Sequence, residues 1–193
     1  THQARLFHMT LSATIDVYGA RLLFETNSQE YFSDFMSEYG SHKSDGGGAR
    51  GRITVTEGEG LDLEPPQEAI RVSMQFPASS THVHNGIFYF IEKGRHRVRL
   101  DPSSRVIEVA AAPGAGMADK LRYLSKRLLV RLLEDGGFSW MHGSSVSSGG
   151  RALAFTGVSG SGKTTCLLTM LEGGSRMVAD DVVLFRGGLV HPF

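Results

Sequence analysis

Hydrophobic and polar positions alternate along much of the first 111 residues, and a period of two predicts strands. In residues 5–25, "RLFHMTLSATIDVYGARLLFE", Leu11, Ala13, Ile15 and Val17 occupy every second position, and the run reads as two strands meeting near Gly19. The same rhythm returns in "RITVTE", "AIRVSMQF", "GIFYFIE", "RHRVRL" and "RVIEVAA", with "EKGR" and "DPSS" as hairpin turns. A period of three to four interrupts it twice. "NSQEYFSDFMSEYG" carries Tyr31, Phe32, Phe35, Met36 and Tyr39 as one core-facing stripe. Asn27 and Glu30 have capping-box spacing, and Gly40 is placed to close the helix. "MADKLRYLSKRLLVRLLEDGG" repeats the helical pattern through Met117, Leu121, Leu124, Leu128 and Leu132, ending at Gly136-Gly137.

Beyond that helix the pattern changes again. "FSWMHGSSV" and "RALAFTG" read as strands joined by "SSGG", followed by a helix of about three turns, "KTTCLLTMLEGG", and a third strand, "SRMVADDVVLF". "PGAGM", 113–117, looks like a linker. The expected organisation is therefore α/β in the broad, α+β sense: a β-rich domain with one short helix over 1–112, then a second domain over 113–193.

Composition narrows the function classes. Lys plus Arg equals Asp plus Glu, 20 against 20, so no overall field draws the chain to nucleic acid or to an anionic membrane. Cys166 is the one cysteine, which excludes an intrachain disulfide and suits a reducing compartment. Apolar runs are shorter than a membrane span, and "THQARLFHMT" lacks the layout of a secretion signal, so a cytoplasmic location is expected. His82 and His84 share a strand face, but spacing supplies no third metal ligand. Arg95, Arg97 and Arg99 also share a face, and Lys120, Arg122, Lys126, Arg127 and Arg131 lie mostly off the apolar stripe of their helix; both sets read as solvated flanks. The loop 40–51, "GSHKSDGGGARG", is rich in glycine but lacks a preceding apolar strand and a following Lys-Thr.

Those two features do occur at Gly157-Val158-Ser159-Gly160-Ser161-Gly162-Lys163-Thr164, which matches G-x-x-x-x-G-K-[ST] in full between a strand and a helix. Its glycines permit positive φ and let N–H groups converge on phosphate oxygens, and the helix N-terminus adds partial positive charge. Lys163 has the reach for the β and γ phosphates of ATP, Thr164 has a hydroxyl for Mg²⁺, and Thr165 stands beside the loop. Asp180 and Asp181 follow "RMVA", an apolar strand start expected to run beside the loop's own strand. Neighbouring strand residues face opposite ways, so one of the two carboxylates faces the metal unless the strand bends there. His142 lies on the strand expected to pair with that of the loop.

With "MHGSSV", the glycine loop and "VADDVV" in this order, residues 117–186 resemble the HPr kinase/phosphorylase family and its HPr-kinase-like relatives. The resemblance implies a core similar to that of phosphoenolpyruvate carboxykinases and transfer of the γ-phosphoryl group of ATP to a hydroxyl, typically serine of a protein or peptide. It implies that residues 157–164 cradle the triphosphate, that Asp180 is the general base with His142 supporting it, and that Asp181 is a metal-side carboxylate. Which aspartate takes which role is left open by the motif. The family continues past this point with a glycine- and arginine-containing segment, so the core reads as C-terminally incomplete, and neither phosphorylase activity nor HPr as substrate carries over. Related kinases form oligomers, which makes a homo-oligomer an expectation. A non-catalytic ATP-binding regulatory module and a small-molecule kinase are the alternative readings.

Overall fold

The computed structural model describes residues 10–58, 63–76 and 79–193, so residues 5–9 of the first expected strand lie outside the described residues. The fold is α+β and divides into two compact units, Thr1–Leu132 and Leu133–Phe193.

The first unit contains β1 (Leu11–Val17), β2 (Ala20–Thr26), α1 (Gln29–Tyr39), β3 (Gly51–Glu57), β4 (Ile70–Phe76), β5 (Ser79–His84), β6 (Ile87–Glu92), β7 (His96–Asp101), β8 (Val106–Ala111) and most of α2 (Ala118–Asp135). Its eight strands form one sheet in the order β1-β2-β3-β8-β7-β6-β5-β4. The β2–β3 and β3–β8 pairs are parallel. A parallel step needs a crossover, and α1 supplies the one from β2 to β3. Alternation places Ile15, Leu22, Phe24, Ile53 and Ile107 in the core. Phe35 of α1 stacks on Phe24 with ring centroids 4.2 Å apart. The helix buries Tyr31, Phe35 and Tyr39, one residue per turn, while Phe32 and Met36 are half-buried, so the apolar stripe is narrower than its composition suggests.

Several local expectations are corrected. Asn27 does not cap α1, whose N-cap is Ser28 without a side-chain cap bond. Its amide instead bridges to β3, donating to Glu57 O at 2.9 Å and accepting from Glu57 N–H at 2.8 Å. Two bonds to an otherwise open strand end outweigh one cap bond. Gly40 does close α1 as its C-cap, but with a right-handed backbone, φ −60°, and the chain passes into a 3₁₀ turn, Gly40–His42. Residues 113–117 are tied down: Gly114 N–H donates to Glu57 Oε1 at 3.0 Å, Arg95 donates to Ala115 O at 2.8 Å, and Ala115 and Met117 are buried. The two compact units divide inside α2, at 132/133. Leu128 and Leu132 pack over Gly51 so closely that Leu132 Cδ1 stands 3.1 Å from where a Cβ would be. The three arginines near β7 each have a carboxylate: Glu92 for Arg95, Glu64 for Arg97 and Glu108 for Arg99.

The second unit holds the end of α2, then β9 (Ser139–Ser148), β10 (Arg151–Thr156), α3 (Lys163–Glu172), β11 (Arg176–Ala179), β12 (Val182–Arg186) and β13 (Leu189–His191). Its antiparallel sheet runs β10-β9-β12-β13, with β11 also paired to β9. Gly149 and Gly150, φ 56° and 74°, make the β9–β10 turn. The expected strand over 175–185 is two strands laid end to end along β9 and interrupted at Asp180–Asp181. Contrary to the expectation from sequence, it does not neighbour β10, because β9 lies between them. Among the described residues no helix is long and apolar enough to cross a membrane.

Candidate functional site

The centre of the site is a glycine in the middle of a strand. Gly143 of β9 pairs with Thr156, the last residue of β10, and donates its N–H to Asp181 O on the opposite side at 3.2 Å. A Cβ at Gly143 would run into the carbonyl oxygen of Phe155, so the close approach of β9 and β10 requires glycine there. β10 and β11 both run antiparallel to β9. Their carboxyl ends, one leading into the glycine loop and the other into the aspartates, therefore come level with each other on either side of Gly143 to Ser145, midway along β9.

The loop spans 157–162 and α3 begins at Lys163. Gly160 and Gly162 have φ 78° and 89°, the left-handed conformation that glycine adopts without strain. Cys166 N–H donates to Gly162 O at 2.9 Å, the first bond of the helix, so the N–H groups of Lys163, Thr164 and Thr165 have no partner within it. Lys163 Nζ donates to Gly157 O and Val158 O, both at 2.9 Å, and folds over the loop. The Thr164 hydroxyl has no protein partner among the described residues, and Thr169 Oγ1 donates to Thr165 O at 3.1 Å. A Cβ at Gly157 would fall 2.6 Å from Ser161 Oγ.

Across β9 the chain bends. Asp181 has φ 76°, a left-handed conformation that aspartate tolerates better than most residues. The bend ends the alternation of β11, and both Asp180 and Asp181 line one open concavity of about 430 Å³. Its other walls are His142, Gly143, Ser144, Ser159, Gly160, Gly162, Lys163, Thr164 and Thr165. Gly157, Val158 and Ser161 stand outside this lining, and the Val158 side chain is exposed.

The two acids are held differently. His142 Nδ1 lies 2.7 Å from Asp181 O and 3.0 Å from Asp181 Oδ1. Both are acceptors, so Nδ1 is assigned the proton and donates. His142 is thus coupled to Asp181, whereas the motif led us to expect it beside Asp180. The partner of Asp180 is Ser144, a buried residue whose Oγ donates to Asp180 Oδ1 at 2.6 Å. Asp181 N–H donates to the same oxygen at 3.1 Å. Asp180 Oδ2 has no protein partner among the described residues.

Sequence reasoning passed over Gly143 and Ser144, although both lie within "MHGSSV". A glycine inside a strand pattern signals close backbone approach. Ser144 gave no comparable signal, because its role depends on a partner 36 residues away. His82 and His84 are accounted for by neighbours, Ser80 Oγ at 3.1 Å and Asn85 Nδ2 at 2.9 Å. Among the described residues no group of three or more His, Cys, Asp or Glu side chains is arranged to hold a metal.

The donor set at the concavity is made of hard oxygens, the Thr164 hydroxyl and the carboxylates of Asp180 and Asp181. Such a set suits Mg²⁺, which typically takes one or two carboxylates and completes its shell with phosphate and water. Comparison with protein-family models and with curated proteins returns no match for this chain, and the reading of the site rests on its own residues.

Proposed function

We propose that the second unit is the nucleotide-binding part of an ATP-dependent kinase that transfers a γ-phosphoryl group to a hydroxyl, that of Ser or Thr in a protein or peptide. One observation carries the reading: Ser159, Gly160, Gly162, Lys163 and Thr164 of a complete G-x-x-x-x-G-K-T motif line the same concavity as two aspartates from the opposite side of β9.

Each residue has a role within this reading. The amides of 160–165 and the α3 N-terminus hold phosphate oxygens, and Lys163 leaves its two carbonyl partners for the β and γ phosphates. Thr164 and Asp181 would hold Mg²⁺, whose chemistry there would be to offset negative charge on the phosphates. His142 holds the Asp181 carboxylate in place through Nδ1. Asp180 takes the acceptor proton on its free oxygen as the acceptor oxygen bonds to the γ phosphorus and ADP departs.

The test is transfer of labelled phosphate from ATP with Mg²⁺ to Ser- and Thr-containing peptides. Asp180→Asn is expected to lower turnover by about 10²–10⁴-fold with little change in ATP affinity, and Lys163→Met to weaken nucleotide binding itself. Undiminished transfer in Asp180→Asn would remove the proposed base. Tight ATP binding with no transfer to any acceptor would select a regulatory module instead.

A further inference from the structure

We propose that Ser144 is a positioning residue of this site: its buried hydroxyl decides which oxygen of Asp180 meets the acceptor. The inference rests on the kinase reading above and deepens it.

Asp180 and Asp181 are adjacent, open to solvent and chemically identical, so nothing in their own side chains divides the labour between them. Their partners do. Ser144 has 1% relative exposure and sits at the floor of the concavity, on the central strand. Its donor bond to Asp180 Oδ1 is 2.6 Å, short as expected for a hydroxyl bound to a carboxylate. With the Asp181 N–H on the same atom, Oδ1 receives two donors, which restrains the rotation of the carboxylate. The remaining oxygen, Oδ2, keeps its lone pairs for an incoming hydroxyl. Asp181 is held through His142, also on β9. Ser144 and His142 are two residues apart on one strand and therefore share a face of it, each holding a different acid.

A serine kept only for packing would behave differently. Replacing it by alanine changes little volume, and its effect would then be indifferent to the state of Asp180. A positioning serine acts through Asp180 alone.

The experiment uses the full chain with Mg·ATP and water as acceptor, following ADP release and, separately, ATP affinity by calorimetry. Ser144→Ala is expected to lower kcat by about 10- to 100-fold, the range for a hydrogen bond to a charged group. ATP affinity and KM for ATP should stay within about twofold, and Ser144→Thr, which restores the hydroxyl, should recover most of the rate. In an Asp180→Asn background Ser144→Ala should add no further loss; in an Asp181→Asn background its effect should persist. If Ser144→Ala does not fold, as judged by circular dichroism, Ser144→Cys, a weaker donor of similar size, is expected to show the same pattern. Unchanged turnover in Ser144→Ala, or an equal further loss on top of Asp180→Asn, overturns the positioning role and leaves the kinase reading standing. A wild-type chain that does not bind Mg·ATP, or that binds it without turning it over either with water or with Ser- and Thr-containing peptides, overturns both.

Discussion

His96, in the first unit, shows how a single side chain reports its surroundings. It is 6% exposed, its Nε2 is the partner of Lys120 Nζ, and its Nδ1 has no protein partner among the described residues. An ammonium donates, so the ring accepts at Nε2 and is neutral. Burial, reinforced by the charges of Lys120 and Arg95 and opposed by Glu92, pushes its pKa down to about 4 from 6.5. Because the folded value lies below the unfolded one, the unfolded chain binds the extra proton first. Stability from this group is complete above about pH 6.5 and is lost as pH falls toward 4. The full loss is on the order of 3 kcal/mol. Chemical denaturation of the first unit at pH 7 and pH 4.5 should show the decline, and His96→Gln should flatten it across that interval. Steeper loss below pH 4 is expected from carboxylates such as Asp101, held down near 2 chiefly by hydrogen bonds from Ser103 and Ser104.

At the scale of elements, Gly143 on β9 makes the sharpest demand. Gly143→Ala would push β10 away from β9 at the residue that precedes the glycine loop. We expect a loss of about 1–3 kcal/mol, the usual cost of overpacking, seen as a lower Tm, together with weaker ATP binding. Elements are also where the sequence was most legible. The alternation of β1, the apolar stripe of α2, the Gly149-Gly150 turn and the strand–loop–helix around Lys163 all follow from spacing and turn chemistry over short windows. What was not legible depends on partners far away in the chain. Asn27 has the spacing of a cap but meets Glu57, 30 residues on. The residues after Ala112 have the composition of a linker, yet Arg95 and Glu57 reach back to hold them. The bend at Asp181 was the condition attached to both acids facing one side, and no local pattern announces a left-handed aspartate. The pairing of Ser144 with Asp180 and His142 with Asp181 was hidden for the same reason.

For the whole molecule, the two compact units make a statement about where a ligand acts. A nucleotide held by residues of the second unit stabilises that unit by mass action. Hydrogen exchange with and without Mg·ATP should therefore show added protection in β9, β10, the glycine loop, the start of α3 and the segment 179–183. The core strands β1, β2 and β3 should exchange as before. Added protection centred on the first unit instead would place the nucleotide elsewhere. Equal numbers of acidic and basic residues predict that this binding depends only weakly on the sign of the chain's overall charge, and that salt acts locally, at Lys163.

The position of β9 between the loop strand and the acid strands has a consequence for how such a centre can vary. The gap between the two sides equals two strand spacings, about 9–10 Å, and a hydrogen-bonded ladder keeps it stiff. Neither side can be brought nearer by a hinge without breaking that ladder. Adjustment of reach falls to side-chain length: Lys163 extends from one bank, while the shorter Asp180 and Asp181 stand on the other. A centre tuned in this way accepts changes of residue far more readily than insertions into the strand that spans it.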